Sequence, residues 1–198
     1  MNMKLVGAAG AAVFMNWVSP APAGIVTLYD NLGATTSGGI GLPDIPFQSF
    51  STGKYAVTSL QLNVLLTGVA DFSDFTVALT SDKSGAPNPA YIDYQIDSIS
   101  SLPRLYFFFF NDPLSADTRY WIVVGGPTSA QWAYASNFSG GGVAGELWGV
   151  SSGSDSGGPL QMQVLASVPE PSACVMMLLG FAGLGFAGYR RAGPCRDG

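Results

Sequence analysis

The chain has 198 residues, with eight Lys and Arg against 13 Asp and Glu and a formal charge of −5. That balance excludes nucleic acid as a partner, because phosphate binding needs clustered Lys and Arg. There is no histidine, which removes the commonest general base and transition-metal ligand. The two cysteines, Cys174 and Cys195, lie close to the C-terminus, so the body is expected to hold no disulfide, no zinc or copper and no cofactor.

Residues 1–23 read as a secretory signal peptide. Lys4 supplies the positive start, residues 5–18 an apolar stretch, and Ala21-x-Ala23 a small-residue cleavage site, so the mature chain would begin at Gly24. The stretch falls short of the ~20 residues a spanning helix needs.

Residues 24–167 form the body, long enough for one domain with its own core. It carries eleven acidic and four basic side chains, a solvated acidic surface. Strand signals recur at 25–29, 47–50, 55–66, 75–79, 91–99, 105–110, 120–124, 131–134, 146–150 and 160–165, separated by Gly, Pro, Asn and Asp. A loop is expected over 81–89. No stretch of the body has a helical period. Many short strands with frequent turns predict an all-β fold, an antiparallel β-sandwich of jelly-roll type.

Two strands invite specific expectations. In 91–99, Asp93, Gln95 and Asp97 alternate with Tyr94 and Ile96, which predicts a polar face turned to water and an apolar one turned inward. Phe107 to Phe110 is a continuous apolar run, which predicts a central strand covered on both faces, with Arg104 and Asp112 as flanking gatekeepers.

The candidate sites come next. Asp155-Ser156-Gly157-Gly158-Pro159-Leu160 copies the surroundings of a trypsin-like nucleophile. Such a serine needs a histidine base, so the segment reads as a Ser/Gly-rich loop. Asp71 with Asp74, and Asp93 with Asp97, are the local carboxylate pairs, and loop carboxylates such as Asp82 are the candidates for calcium, although no spacing matches a calcium loop. Trp121 sits in a strongly apolar strand and reads as core. Trp132 and Trp148 flank Gly140-Gly141-Gly142 and are the candidate ligand contacts, since amphipathic rings stack on sugars. No catalytic residue is assigned, and the chain is expected not to be an enzyme.

At the C-terminus, Val168-Pro169-Glu170-Pro171 precedes an uncharged run from Ser172 to Tyr189, then Arg190 and Arg191. A helix over that run would cover ~27 Å, a little under a ~30 Å hydrocarbon core. It predicts a transmembrane helix with Arg190 and Arg191 as a cytoplasmic stop. The arrangement over 168–191 resembles the PEP-CTERM sorting signal of Gram-negative bacteria. The resemblance implies an exosortase as partner, with Val168 to Pro171 as the motif it reads, and an intermediate tethered in the inner membrane before delivery to the cell surface or extracellular matrix. Residues 192–198 form a tail beyond the usual end of such signals.

The body resembles the choice-of-anchor R domain family, through Leu28-Tyr29-Asp30-Asn31-Leu32, Phe47-Gln48-Ser49-Phe50, Val57-Thr58-Ser59-Leu60-Gln61-Leu62, the 81–89 segment and Thr118-Arg119-Tyr120-Trp121-Ile122-Val123. That resemblance implies a β-rich surface module without catalytic residues. Together the two imply an exported, non-enzymatic surface or matrix protein associated with exopolysaccharide or biofilm. The alternative is a carbohydrate-binding module displayed at the cell surface.

Overall fold

The computed structural model describes residues 24–68, 72–99, 104–126, 129–152, 157–169 and 180–181. The sandwich occupies one compact unit, Ala23–Glu170. The signal peptide at 1–23 and nearly all of the C-terminal apolar run lie outside the described residues. Gly180 and Phe181, which are described, are helical.

The body is built of two antiparallel sheets, as its turn spacing predicts. In the first, β1 (Gly24–Asp30) pairs with β11 (Met162–Val168), β11 with β4 (Ser59–Gly68), and β4 with β7 (Arg104–Phe110). In the second, the order is β10 (Trp148–Val150), β3 (Pro46–Ser51), β8 (Arg119–Gly125), β5 (Phe72–Asp82) and β6 (Pro87–Ile99). The orders β1-β11-β4-β7 and β3-β8-β5-β6 are those of an eight-stranded jelly roll, because each connection except the β5–β6 hairpin crosses between the sheets. A ribbon of β2 (Thr36–Gly41) and β9 (Ala130–Ala135) extends the first sheet. β9 pairs with Leu66 to Gly68 of β4, on the edge that β11 occupies along Ser59 to Val64, while β7 takes the other edge.

The alternation of β4 explains its place. Leu60, Leu62, Val64 and Leu66 are buried and meet Phe75, Val77 and Leu79 of β5 in one apolar cluster between the sheets. Each such side chain contributes roughly 1.5–3 kcal/mol on burial. With both cysteines outside the body, this layer holds the domain together.

Three expectations are corrected. First, the phenylalanine run forms β7, which pairs only with β4 and is an edge strand rather than a central one. Phe108 and Phe110 are buried, but Phe107 is 55% and Phe109 60% exposed. Second, β6 is turned over. Asp93 and Gln95 stand opposite Leu79 and Val77, whose side chains face the other sheet. Directly opposed residues share a face of the sheet, so Asp93 and Gln95 point inward at the open rim and Tyr94 points out, 46% exposed. Gln95 uses that position to donate from Nε2 to the carbonyl of Phe109 in the other sheet. Third, the loop expected over 81–89 shrinks to a hairpin turn at Lys83–Ala86, closed by reciprocal backbone bonds of 2.8 and 3.3 Å. Ser84 and Gly85 both take positive φ, 59° and 82°, the geometry that matches the twist of the flanking strands.

Strand boundaries also move: the strand expected from 55 begins at Ser59, the one expected from 146 at Trp148 and the one expected from 160 at Met162, and β2 has no counterpart among the predicted elements.

The two faces of β7 predict opposite outcomes for neighbouring residues. Phe108→Ala should cost about 3–5 kcal/mol of unfolding free energy, while Phe109→Ala should change it by no more than ~0.5 kcal/mol. Urea titrations of both variants check this, and equal losses would restore a strand covered on both faces.

Candidate functional site

The candidate tryptophans separate. Trp132 of β9 is fully buried, and its Nε1 donates to the Gln161 carbonyl at 2.9 Å. It is a core residue and cannot stack on a ligand, which corrects the expectation for that side chain. Its partner in the sequence argument, Trp148 on the edge strand β10, is half-buried against the exposed ring of Phe138, with centroids 4.9 Å apart. Trp121 is buried as expected, but on the outer side of the second sheet. There the edge of Phe47 covers it at 5.5 Å and Asp82 accepts its Nε1 hydrogen at 2.8 Å.

The accessible aromatic surface lies elsewhere. On the outer face of the second sheet, Tyr91 and Tyr94 of β6 stack at 5.6 Å and are 56% and 46% exposed. They wall a groove of about 390 Å³ whose floor is Thr76 and Ala78 of β5 with Val123 and Gly125 of β8. The floor is low because its side chains are small. A second hollow of about 200 Å³ continues from it past Ile45, Tyr91 and Val123 to Phe47, Pro87 and Pro89. No charged side chain lines either hollow among the described residues. Ile45, at the mouth, holds φ of 49°, a conformation that costs a β-branched residue and persists only when its surroundings impose it. Its N–H bonds to the Leu42 carbonyl at 3.0 Å, closing a short 3₁₀ turn, Leu42–Asp44. Such a groove can hold a neutral, ring-bearing ligand by stacking. The sequence missed it because strict alternation turned Tyr94 inward and put Tyr91 on the other face, whereas a register shift between Leu79 and Thr80 brings the two rings to one side.

Most of the remaining candidates, or their side chains, lie outside the described residues. Asp155 and Ser156 lie outside the described residues. Gly158, next to them, is buried, and a Cβ there would stand 2.2 Å from the Ala135 carbonyl. Close packing on β9 therefore accounts for the glycine. The side chains of Asp71, Asp74 and Asp97 also lie outside the described residues. Asp93 spends one carboxylate oxygen on the N–H of Tyr94 at 2.6 Å. Among the described residues, no three Asp, Glu or Cys side chains converge as a metal site requires.

The sorting segment begins where the fold ends. Val168 is the last residue of β11 and pairs with Gly24, the first of β1, and Pro169 is exposed. Proline has no N–H to give to a ladder, so the strand stops there. Glu170, Pro171, Arg190 and Arg191 lie outside the described residues. Residues 167–191 match the PEP-CTERM protein-sorting motif. That motif implies an exported protein that an exosortase sorts to the cell surface. No curated protein and no solved structure matches the chain. Among the described residues, no helix is long and apolar enough to cross a membrane.

A buried tyrosine beside a polar knot limits the alkaline pH range of the body. Glu146 accepts from Ser49 Oγ at 2.5 Å and faces Arg119 Nε at 3.5 Å. Arg119 also donates to the Gly145 carbonyl at 3.0 Å. Nearby, the Tyr29 hydroxyl is buried with no hydrogen-bond partner. Burial, and secondarily the Glu146 carboxylate, push its ionisation far above the usual tyrosine value. The unfolded chain loses this proton near pH ~10 and the folded chain keeps it. The stability it contributes is therefore complete below pH ~10 and falls above that, by up to ~1.4 kcal/mol per pH unit. In Tyr29→Phe this part of the alkaline slope should vanish, and the variant should be as stable as the parent or more so at pH 7, since an unpaired hydroxyl costs ~1–3 kcal/mol. Urea midpoints from pH 8 to 11 measure both effects.

Proposed function

We propose that this is a non-enzymatic surface or extracellular-matrix protein of a Gram-negative bacterium, displayed by exosortase sorting. In this reading residues 1–23 direct export. The run from Ser172 to Tyr189 then tethers the body at the inner membrane, with Arg190 and Arg191 on the cytoplasmic side. The exosortase cuts at or near Val168 to Pro171 and releases the sandwich to the cell surface. The observation that carries the reading is positional: the matched sorting segment begins at residue 167 and overlaps only the last two residues of the last strand, so cleavage near Pro171 would leave every strand intact.

The intact mass of the protein from its own host is the test. A chain that starts at Gly24 and ends near Pro171 or Ser172, with or without an added group, supports sorting and cleavage. A mass that extends to Gly198 refutes cleavage.

A second reading is favoured by one observation, the uncharged groove walled by stacked Tyr91 and Tyr94. It makes the body a carbohydrate-binding module for a neutral exopolysaccharide, with the aromatic contact on these residues in place of Trp132. Affinity electrophoresis in gels cast with the host's polysaccharide tests it. Tyr91→Ala and Tyr94→Ala should each weaken binding about fivefold, the equivalent of ~1 kcal/mol of lost stacking. Retardation equal to the parent would sink the reading.

A further inference from the structure

Gly24 and Val168 are paired neighbours, so both ends of the body leave the first sheet at one corner. Only Pro169, Glu170 and Pro171 separate that corner from the start of the uncharged run at Ser172. Four residue steps span at most ~14 Å at full extension. The polar layer of a bilayer is itself ~5–8 Å deep on each side. A chain tethered through that run therefore keeps this corner within about one or two headgroup depths of the hydrocarbon.

The outward surface near the same corner sets large exposed apolar side chains among uncharged Ser and Gln. Ile25 on β1 is 74% exposed. Across the sheet, Phe109 on β7 is 60% exposed, with Phe107 two residues along on the same face. Between them, Leu165 and Gln61 are aligned in register, and the row frames a shallow groove of about 210 Å³ without a charged lining residue. Farther along the same face the polar side chains bind one another. Gln61 Nε2 donates to Asn63 at 3.1 Å, and Asn63 Nδ2 to Gln163 at 2.7 Å. The body as a whole is acidic, with eleven carboxylates against four cations, and an anionic leaflet repels most of its surface. Gln163 in turn donates to the Asp30 carboxylate at 2.7 Å, so the patch between Ile25 and Phe109, which no charged residue lines, is the part beside the tether that can approach lipid without that penalty.

We propose that the outer face of the first sheet around Ile25, Phe107 and Phe109 is a bilayer contact, seated in the headgroup region of the outer leaflet while the chain is tethered. The proposal rests on the reading of Ser172 to Tyr189 as a membrane span. The contact keeps the end of β11 at Val168 beside the membrane surface, where a membrane-embedded exosortase reaches the motif that follows. Two or three apolar side chains give only weak, reversible attachment without the tether, so the face releases once the motif is cut.

The cysteine-free body makes the test direct. In the full chain with Cys174→Ser and Cys195→Ser, one cysteine is introduced at a time, as Phe109→Cys, Ile25→Cys or Tyr94→Cys. Each is labelled with an environment-sensitive nitrobenzoxadiazole dye. The proteins are reconstituted in phosphatidylethanolamine–phosphatidylglycerol vesicles, and quenching by lipids spin-labelled near the headgroup is read. Labels at 109 and 25 should be quenched several-fold more than the label at 94 on the opposite outer face. Equal quenching at all three, in a chain that resists alkaline carbonate extraction, overturns the contact and leaves the tether standing. Extraction of the chain by carbonate overturns the tether and the contact together. Labels at 109 and 25 that escape lipid quenching but are shielded by added polysaccharide overturn the contact and assign the face to glycan.

Discussion

Three buried amides converge on the short segment that leads into β11, and the closure of both sheets depends on them. Asn31 accepts from the Met162 N–H at 2.9 Å and donates to the Leu160 carbonyl at 3.1 Å. Gln48, from the opposite sheet, accepts from the Leu160 N–H at 3.0 Å. Gln161 donates to the Ala34 carbonyl at 2.8 Å and accepts from Thr36 at 2.6 Å, and its own carbonyl takes the Trp132 indole. At this point β4 exchanges one neighbour, β11, for another, β9, and the ladder would otherwise leave backbone groups unpaired in the interior. Amides supply a donor and an acceptor together, so each bridges two such groups. The side chains of Asn31, Gln48 and Gln161 are polar because the fork is polar.

That fork also ties sorting to folding. β11 is the last strand of the body yet lies between β1 and β4. A central strand satisfies two ladders, and without it β1 has no partner in its sheet. The sandwich therefore cannot close until residue 168 is available, and the next residues are those of the sorting motif. The folded domain and the address that routes it are completed by the same stretch of chain.

The two outer faces differ because their floors differ. The second sheet shows Thr, Ala, Val and Gly in its middle rows, so the tyrosines at the rim stand above them and a groove results. The first sheet shows amides that bond along the strands, leaving the large apolar side chains at its edges and at the corner where the chain departs. A stacked tyrosine pair presents ring faces to a planar or cyclic ligand. Isoleucine and phenylalanine at a sheet corner present hydrocarbon to a fluid surface.

How much of this was legible depends on whether the cause was local. The alternation of Leu60, Leu62, Val64 and Leu66 named a half-buried strand, and repeated short strands between turns named an antiparallel sandwich. The motif at Val168 to Pro171 is a linear signal that a receptor reads from the chain, and it needed no fold to be recognised. Period two tells which residues share a face and leaves open which face is inside. That choice belongs to the neighbouring strand, and for β6 it went to the polar set because Gln95 caps the Phe109 carbonyl across the rim. The run at Phe107 to Phe110 carries no information on edge or centre, since hydrogen-bond partners come from distant chain. Trp132 lost its surface to the β2–β9 ribbon, which Gly38 and Gly39 conceal from any propensity argument. The sequence by itself determined the fold class and the sorting address, because periodicity, punctuation and motif are properties of adjacent residues. Tertiary structure alone decided which aromatic rings meet solvent, because exposure is settled by contacts between residues a hundred positions apart.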